Sequence, residues 1–304
     1  MVFLKRLFII FLLTPIYYTL CFGQGTKGTK NQLENALLWE IEVPSVPHKS
    51  YLFGTIHIIP EEDYFLPKGT LAAIDAAEKM VFEIDMGELS DMSIIMKLMS
   101  KIMMSDGVTL KDLLSEEDYE LTKSHFQKMG LPLMFFERMK PMFLTVFAYN
   151  GMEPGALENG KIKSYELEFM KLAGDKSLPT AGLESIDFQI SVFDSIPYDA
   201  QAQMLVDAIK NTNVDNDDLK KMVEMYKSQN INTMHKMINE DEAGLAVYEE
   251  LLLVQRNKNW IPQIIAMSKE APTFFAVGAG HLGGENGVIN LLRKEGIKLN
   301  PITK

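Results

Sequence analysis

Two stretches of the chain, far apart in sequence, share one pattern: an apolar strand, a glycine, two residues and a histidine. They read Tyr51-Leu-Phe-Gly54-Thr-Ile-His57 and Phe275-Ala-Val-Gly278-Ala-Gly-His281. A glycine that closes a buried strand lets the backbone turn sharply or lets a ligand approach it closely. The imidazole three residues later then stands just past the strand's C-terminal edge, where open α/β sheets bind their ligands. If the two strands are neighbours, both imidazoles converge on one space. Neutral imidazole nitrogens suit a borderline divalent ion such as Zn²⁺, Co²⁺ or Mn²⁺. Two of them do not complete a hydrolytic site, which usually has about three protein ligands and a water. A lone histidine after a strand is ordinarily a hydrogen-bonded structural residue, so the repetition is what speaks for chemistry.

Three charged residues could complete such a centre. Glu83 emerges from the apolar run Met80-Val-Phe-Glu-Ile-Asp85, where an unpaired carboxylate is costly. It can be a third metal ligand, a general base, or one half of a buried ion pair, for instance with Arg256. Glu184 follows another strand and is either an orienting group or the N-cap of the helix starting at Ser185. Arg256 sits in Leu251-Leu-Leu-Val-Gln-Arg-Asn-Lys-Asn-Trp260 and can stabilise an oxyanion through its planar fork, or lie on the surface beside Asn257 and Lys258. Glu61 and Glu285 each fall four residues after a motif histidine, but loop carboxylates are common. Of the other histidines, His48 lies in a turn, and His125 and His235 lie in polar helical stretches and are expected to be exposed. No HExxH helix, phosphate loop, nucleophile elbow or dinucleotide fingerprint occurs. Cys21 is the only cysteine, so thiolate chemistry and disulfides are excluded once the N-terminal segment is removed.

The paired Gly-x-x-His motifs resemble those of the TraB/GumN family, which includes Tiki-type metalloproteases and is distantly similar to erythromycin esterases and haem-binding ChaN-like proteins. The resemblance extends over roughly residues 34 to 302. It takes in Val81-Phe-Glu83-Ile-Asp85, Gly182-Leu-Glu184-Ser-Ile-Asp-Phe-Gln189, Arg256-Asn257-Lys-Asn-Trp260 and the closing segment from Gly284 to Gly296. It implies a metal-dependent hydrolase of protease-like or peptidase-like kind, with His57, His281 and Glu83 toward a divalent metal and Glu83, Arg256 and Glu184 toward catalysis. The ChaN-like relatives imply an alternative, a non-catalytic haem or metal binder with His57 or His281 as axial ligand. The substrate expected is a peptide or small molecule.

The surrounding pattern of the chain reads as an α/β fold. A hairpin spans Ala36–Val43 and Ser50–Gly54, a helix Leu71–Glu78, and a strand Met80–Asp85. Apolar residues recur at helical spacing from 91 to 104, with Met96, Met99 and Met103 expected in the core. Ser115 opens a helix in capping-box style. Pro132–Tyr149 reads as a helix interrupted at Pro141. Tyr165–Ala173 is a helix and Leu178–Leu183 a strand. Helices dominate from Asp199 to Lys269, and strand, loop, helix and strand close the chain from Thr273 to Ile302. The expectation is a central mixed sheet flanked by helices, its strands near the two ends of the chain, in one domain over 34–304 with a helical insertion at about 87–160.

The N-terminus reads as a secretory signal peptide over 1–23. Lys5 and Arg6 precede an apolar core broken by Pro15, and Cys21-Phe22-Gly23 places small residues before Gln24. The apolar run is below the ~20 residues a spanning helix needs, so no membrane span is expected after cleavage. Tyr18-Thr19-Leu20 is a poor context for lipid attachment at Cys21. Residues 24–33 read as a flexible mature start, and the location expected is periplasmic or secreted. A net charge of −11 argues against nucleic acid as a partner, because phosphates would be repelled. Composition leaves the oligomeric state open.

Overall fold

A computed structural model describes residues 32–85, 87, 92–148, 159–212, 217–239 and 248–303. The expected leader, at 1–23, lies outside the described residues. The core is a six-stranded mixed sheet in the order β6-β4-β7-β2-β1-β8. Its strands are β1 (Leu38–Glu42), β2 (Ser50–Thr55), β4 (Lys79–Ile84), β6 (Thr180–Glu184), β7 (Thr273–Gly278) and β8 (Lys298–Pro301). A separate pair joins β3 (Ile59–Pro60) to β5 (Ile162–Lys163), two short strands that no period in the sequence announces.

The four strands β6, β4, β7 and β2 run parallel to one another. Every residue of β7 is buried, as are five of six in β4. Such continuous apolar runs are what a parallel sheet covered on both faces requires. The antiparallel β1 and β8 complete one side, where Pro301 in β8 suits an edge position. On one face Phe53, Phe274, Phe169 and Tyr165 interlock, with Phe53 and Phe169 edge to face at 5.0 Å.

Twelve α-helices are described. They are α1 (Thr70–Ala76), α2 (Met92–Lys101), α3 (Leu110–Leu113), α4 (Glu116–Lys128), α5 (Pro141–Leu144), α6 (Tyr165–Asp175), α7 (Ile186–Asp194), α8 (Tyr198–Thr212), α9 (Asp217–Lys227), α10 (Ile231–Asn239), α11 (Gln255–Glu270) and α12 (Val288–Lys294). Ser115 does cap α4, accepting from Asp118 N at 3.1 Å. The helix expected over Pro132–Tyr149 is not continuous over 132–148, and Tyr149 lies outside the described residues. The stretch is a 3-10 turn at Leu133–Phe135, then α5, then a second 3-10 turn at Thr145–Ala148. Pro141 opens α5 rather than interrupting a helix, since a proline costs no hydrogen bond at the first helical position. Met99 and Met103 pack against the core, but Met96 is 70% exposed, because α2 turns only its Ile95 and Leu98 side fully inward. Among the described residues no helix is long and apolar enough to cross a membrane.

Candidate functional site

The four parallel strands end on the same side of the sheet, and each delivers one part of a polar cluster. β6 ends on Glu184, β4 carries Glu83 one residue before its end, β7 ends on Gly278 before the turn with His281, and β2 ends on Thr55 before His57. In register Thr55 faces Gly278 and Ile84 faces Glu184, so the two histidine loops are direct neighbours. The glycines have separate tasks. A Cβ on Gly54 would stand 2.6 Å from Leu282 Cδ1 and 3.1 Å from the Ala279 backbone, so the first loop packs directly under the second. A Cβ on Gly278 would point into the cluster, 3.2 Å from Glu83 Oε1, 3.6 Å from His281 Cδ2 and 3.7 Å from His57 Nε2. Carboxylate and both imidazoles thus border one small space.

His57 is buried, and its Nδ1 donates to Glu166 Oε1 at 2.7 Å. That carboxylate also accepts from Thr55 Oγ1 at 2.7 Å and Ser164 Oγ at 3.0 Å. Glu166 comes from the first turn of α6, which Ser164 caps by accepting from Leu167 N. With Nδ1 protonated, Nε2 carries the lone pair. Burial pulls the His57 pKa down, but the Glu166 charge and hydrogen bond outweigh it and leave it raised. Glu166 is pushed up by burial and more than compensated by His57, so its pKa is lowered.

His281 has different partners. Its Nδ1 lies 2.6 Å from Asn257 Oδ1, and Asn257 Nδ2 donates to the Asn286 carbonyl at 2.9 Å. The amide is thereby oriented with its oxygen toward the ring, so Nδ1 is the donor and Nε2 again carries the lone pair. Arg256 Nη1 lies 3.2 Å from that Nε2, and Trp260 packs on the ring with centroids 4.5 Å apart. Burial, then the Arg256 and His57 charges, outweigh the attraction of Glu83 and hold the His281 pKa down to about 3.

Arg256, Asn257 and Trp260 all belong to the buried stripe of α11. Just before it, Glu250–Val254 forms a widened π-type turn, a feature frequent at functional sites. The Leu252 carbonyl in that turn accepts from Arg256 Nη1 at 3.1 Å. Arg256 Nη2 bridges Glu83 Oε2 at 2.5 Å and Glu184 Oε1 at 2.6 Å, and its Nε donates to Glu184 Oε1 at 3.0 Å. Glu83 Oε1 accepts from Gly278 N at 2.8 Å. Burial would raise the Glu83 pKa, but Arg256, His281 and His57 bring it down to about 2. For Glu184 burial prevails over Arg256, and its pKa is raised. The two carboxylates raise the Arg256 pKa against the effect of burial.

All five residues singled out by sequence therefore stand together: His57, Glu83, Glu184, Arg256 and His281. Arg256 is not a surface residue but the counter-ion of Glu83. Glu184 does not cap α7; Ser185 does, accepting from Phe188 N at 3.1 Å, which leaves Glu184 for Arg256 and the Trp260 Nε1 donor at 3.1 Å. Glu61 and Glu285 are exposed and turn to Lys163 and Lys294. His125 and His235 are half-buried rather than exposed. His125 meets the Phe147 carbonyl at 2.7 Å, and His235 packs beneath Gly283 and Gly284. Sequence reasoning missed Glu166, Gln189 and the role of Asn257. Glu166 had a signal, since it shares the buried stripe of α6 with Tyr165, Phe169 and Ala173, and an acid on an apolar stripe needs a partner.

The donor set bears on a metal in two ways. Each imidazole has its Nδ1 anchored, as in ligating histidines, and Glu83 is ionised; the His57 Nε2 borders the space beside Gly278, whereas the His281 Nε2 accepts from Arg256 Nη1. Glu83 Oε1 stands 3.8 Å from His281 Nε2. Among the described residues, however, no three His, Cys, Asp or Glu side chains form a ready metal cluster, and Arg256 contacts both His281 and Glu83. The chemistry of the donors fits a divalent ion; a closed cage is not formed.

Residues 37–301 match the sequence profile of the TraB/PrgY/gumN family. The chain belongs to this family. Zebrafish (Danio rerio) Metalloprotease TIKI1 is 23% identical to this family member over 91% of the chain and 65% of its own length. Human (Homo sapiens) Metalloprotease TIKI1 is 24% identical with the same two shares, and zebrafish Metalloprotease TIKI2 is 22% identical over 91% and 62%. The chain spans less than two thirds of the length of these relatives. No solved structure matches it.

Proposed function

We propose that the chain is an exported metal-dependent hydrolase of peptide bonds, with its centre in the space beside Gly278. One observation carries this reading. His57 Nε2, Glu83 Oε1 and the His281 ring all lie within reach of the point a Gly278 side chain would fill, at 3.7, 3.2 and 3.6 Å. The peptide as substrate class rests on the metalloproteases that the chain resembles. Export rests on the Lys5-Arg6 and apolar pattern of residues 1–23, and a single domain over 34–304 with the helical stretch at 87–160 completes the proposal.

His57 and His281, through Nε2, and Glu83 are the residues that would hold the ion. A bound Zn²⁺, Co²⁺ or Mn²⁺ supplies an acidified water and a polarised carbonyl at such a centre. The chain's own groups divide the remaining work. Glu83, ionised down to a pKa of about 2, suits ligation better than general-base work, which calls for a pKa near the working pH. Glu166 fixes the His57 ring and strengthens its Nε2 as a donor. Asn257 fixes His281 in the same tautomer without adding charge. Glu83 and Glu184 hold the Arg256 guanidinium rigidly where it can meet a developing oxyanion.

A second reading has an observation of its own. His57 with Glu166 at 2.7 Å and its pKa raised is a carboxylate-held base that can activate water without a metal. Nothing in the site favours the haem-binding alternative, since both imidazoles face one small space and are buried.

Elemental analysis of the purified chain, joined to turnover of casein peptides before and after chelation, tests the proposal. Stoichiometric metal, turnover lost on chelation and turnover restored by Zn²⁺, Co²⁺ or Mn²⁺ are expected. Turnover that survives complete chelation would move the function to the His57–Glu166 pair. Absence of both metal and turnover would remove the hydrolase.

A further inference from the structure

The rung of the sheet nearest the first histidine loop is shared out between side chains. β1 and β2 pair Leu38 with Phe53, so Leu37 and Gly54 come next in that register. Gly54 N donates to the Leu37 carbonyl at 2.8 Å, and at such a position antiparallel strands ordinarily exchange both hydrogen bonds. Here the return bond is replaced. Leu37 N donates to Gln229 Oε1 at 3.2 Å, and the Gly54 carbonyl accepts from the buried Tyr226 hydroxyl at 2.9 Å. Both side chains come from the last turn of α9 and the residues just after it. The replaced rung lies three residues before His57, where β2 parts from β1 but stays paired with β7 as far as Thr55 and Gly278.

Gln229 bears a second mark of this task. Its φ is 56°, the left-handed conformation that ordinarily falls to glycine after a helix end. Asn230 N closes the turn on the Met225 carbonyl at 3.3 Å. What glutamine adds over glycine there is the acceptor for Leu37. The next helix turns to the other loop. On α10, the Ile231 carbonyl stands 2.7 Å from where a Cβ on Gly283 would be, and His235 packs beneath Gly284. Asn232 holds Leu33 by both its N–H and its carbonyl, at 3.1 and 2.7 Å, which ties the corner to the segment entering β1. One helical corner therefore touches both histidine loops.

We propose that Tyr226 and Gln229 are positioning residues of the centre beside Gly278, acting through His57. By taking the two halves of the Leu37–Gly54 rung they release the Gly54 carbonyl from β1 and fix the path of Thr55 and Ile56. With the return bond made between the strands instead, Gly54 would stay on β1 and draw His57 off Glu166. The hydrolytic use of His57 rests on the function proposed above, whereas its placement does not. Tyr226→Phe isolates the effect, because the ring keeps its contacts with Phe65 and Tyr165, at 5.9 and 5.3 Å between centroids, and only the hydroxyl is lost. The Gly54 carbonyl is then free to turn back toward β1.

Placement can be read without turnover. Proton NMR of the full chain after chelation follows the Nδ1–H of each imidazole, assigned by its loss in His57→Ala or His281→Ala. In Tyr226→Phe the His57 Nδ1–H is expected to exchange with solvent about fivefold faster, the value of one hydrogen bond. The His281 Nδ1–H should keep its parental rate. Gln229→Gly, whose glycine suits the left-handed turn, is the variant to rely on should Tyr226→Phe not fold. It leaves the Leu37 N–H free to draw the Gly54 carbonyl, so it should change His57 in the same sense. Parental exchange at His57, or both imidazoles faster in equal proportion as in a general loss of stability, would overturn the proposal. Turnover of casein peptides by the parent judges the hydrolase separately. Where it occurs, kcat should fall about fivefold in Tyr226→Phe with KM unchanged, and a raised KM with parental kcat would contradict a positioning role. Selective exchange at His57 in a parent without turnover keeps this proposal and removes the hydrolase alone.

Discussion

The two histidine loops are built on one local pattern and given opposite surroundings. Around His57 the partner is a carboxylate, Glu166, from a helix that follows a capping serine. Around His281 the partner is a neutral amide, Asn257, with a guanidinium at the other nitrogen. Burial is equal, yet the pKa of His57 is raised and that of His281 falls to about 3. Repetition of Gly-x-x-His therefore specifies geometry, in which an imidazole stands beyond a strand end. The charge on each ring is set by whichever element packs behind it.

Substitutions on either side of that contrast test it. The largest effect is expected at Arg256, which serves the His281 side and binds both buried acids. Arg256→Met leaves Glu83 and Glu184 without a cation and should cost about 3–5 kcal/mol in urea unfolding, while Arg256→Lys keeps the charge without the fork and should recover part of it. An unchanged midpoint in Arg256→Met would mean the acids are not paired as described. Next comes Glu83→Gln, which touches both histidines' shared space. If Glu83 is a ligand, metal affinity and turnover should fall together by more than about 100-fold; metal retained at parental affinity would return Glu83 to a proton-transfer role.

Glu166→Gln acts on the His57 side alone. His57, raised in the fold, adds stability that is complete below its ordinary value of 6.5 and fades as pH rises through the folded value. The variant should lose that pH dependence, bring the His57 titration below 6.5, and lower turnover by roughly 10–100-fold, with His281 unmoved. Proton NMR of the ring signals in metal-free protein checks the sign. The smallest effect separates two capping serines. Ser185→Ala removes only the cap of α7 and should cost about 1 kcal/mol with both histidine titrations unchanged. Ser164→Ala removes a cap and a hydrogen bond to Glu166, so it should also shift His57. Equal titration curves for the two serine variants would erase the distinction.

Much of this was legible from the chain because its signals are local. A buried strand shows as an apolar run, and Glu83 stands out inside one; the histidine loops repeat each other, and Arg256 interrupts an amphipathic helix. What was hidden depends on packing between distant segments. Glu166 meets His57 across 109 residues and Gln189 meets Glu83 across 106, and no spacing rule links such pairs. Glu184 was ambiguous for a related reason: only the fold shows that Ser185 takes the cap and frees the carboxylate for Arg256. Met96 misled because helical periodicity marks a stripe without saying how wide it is.

Peptide turnover by His57→Ala and His281→Ala, measured beside the parent with metal supplied and with folding verified by circular dichroism, tests the shared centre most directly. Both variants are expected to lose turnover by about 100-fold or more while remaining folded, since each histidine lies on a loop beyond its strand. Parental turnover in either variant would show that its imidazole is structural and that the centre proposed beside Gly278 is wrong.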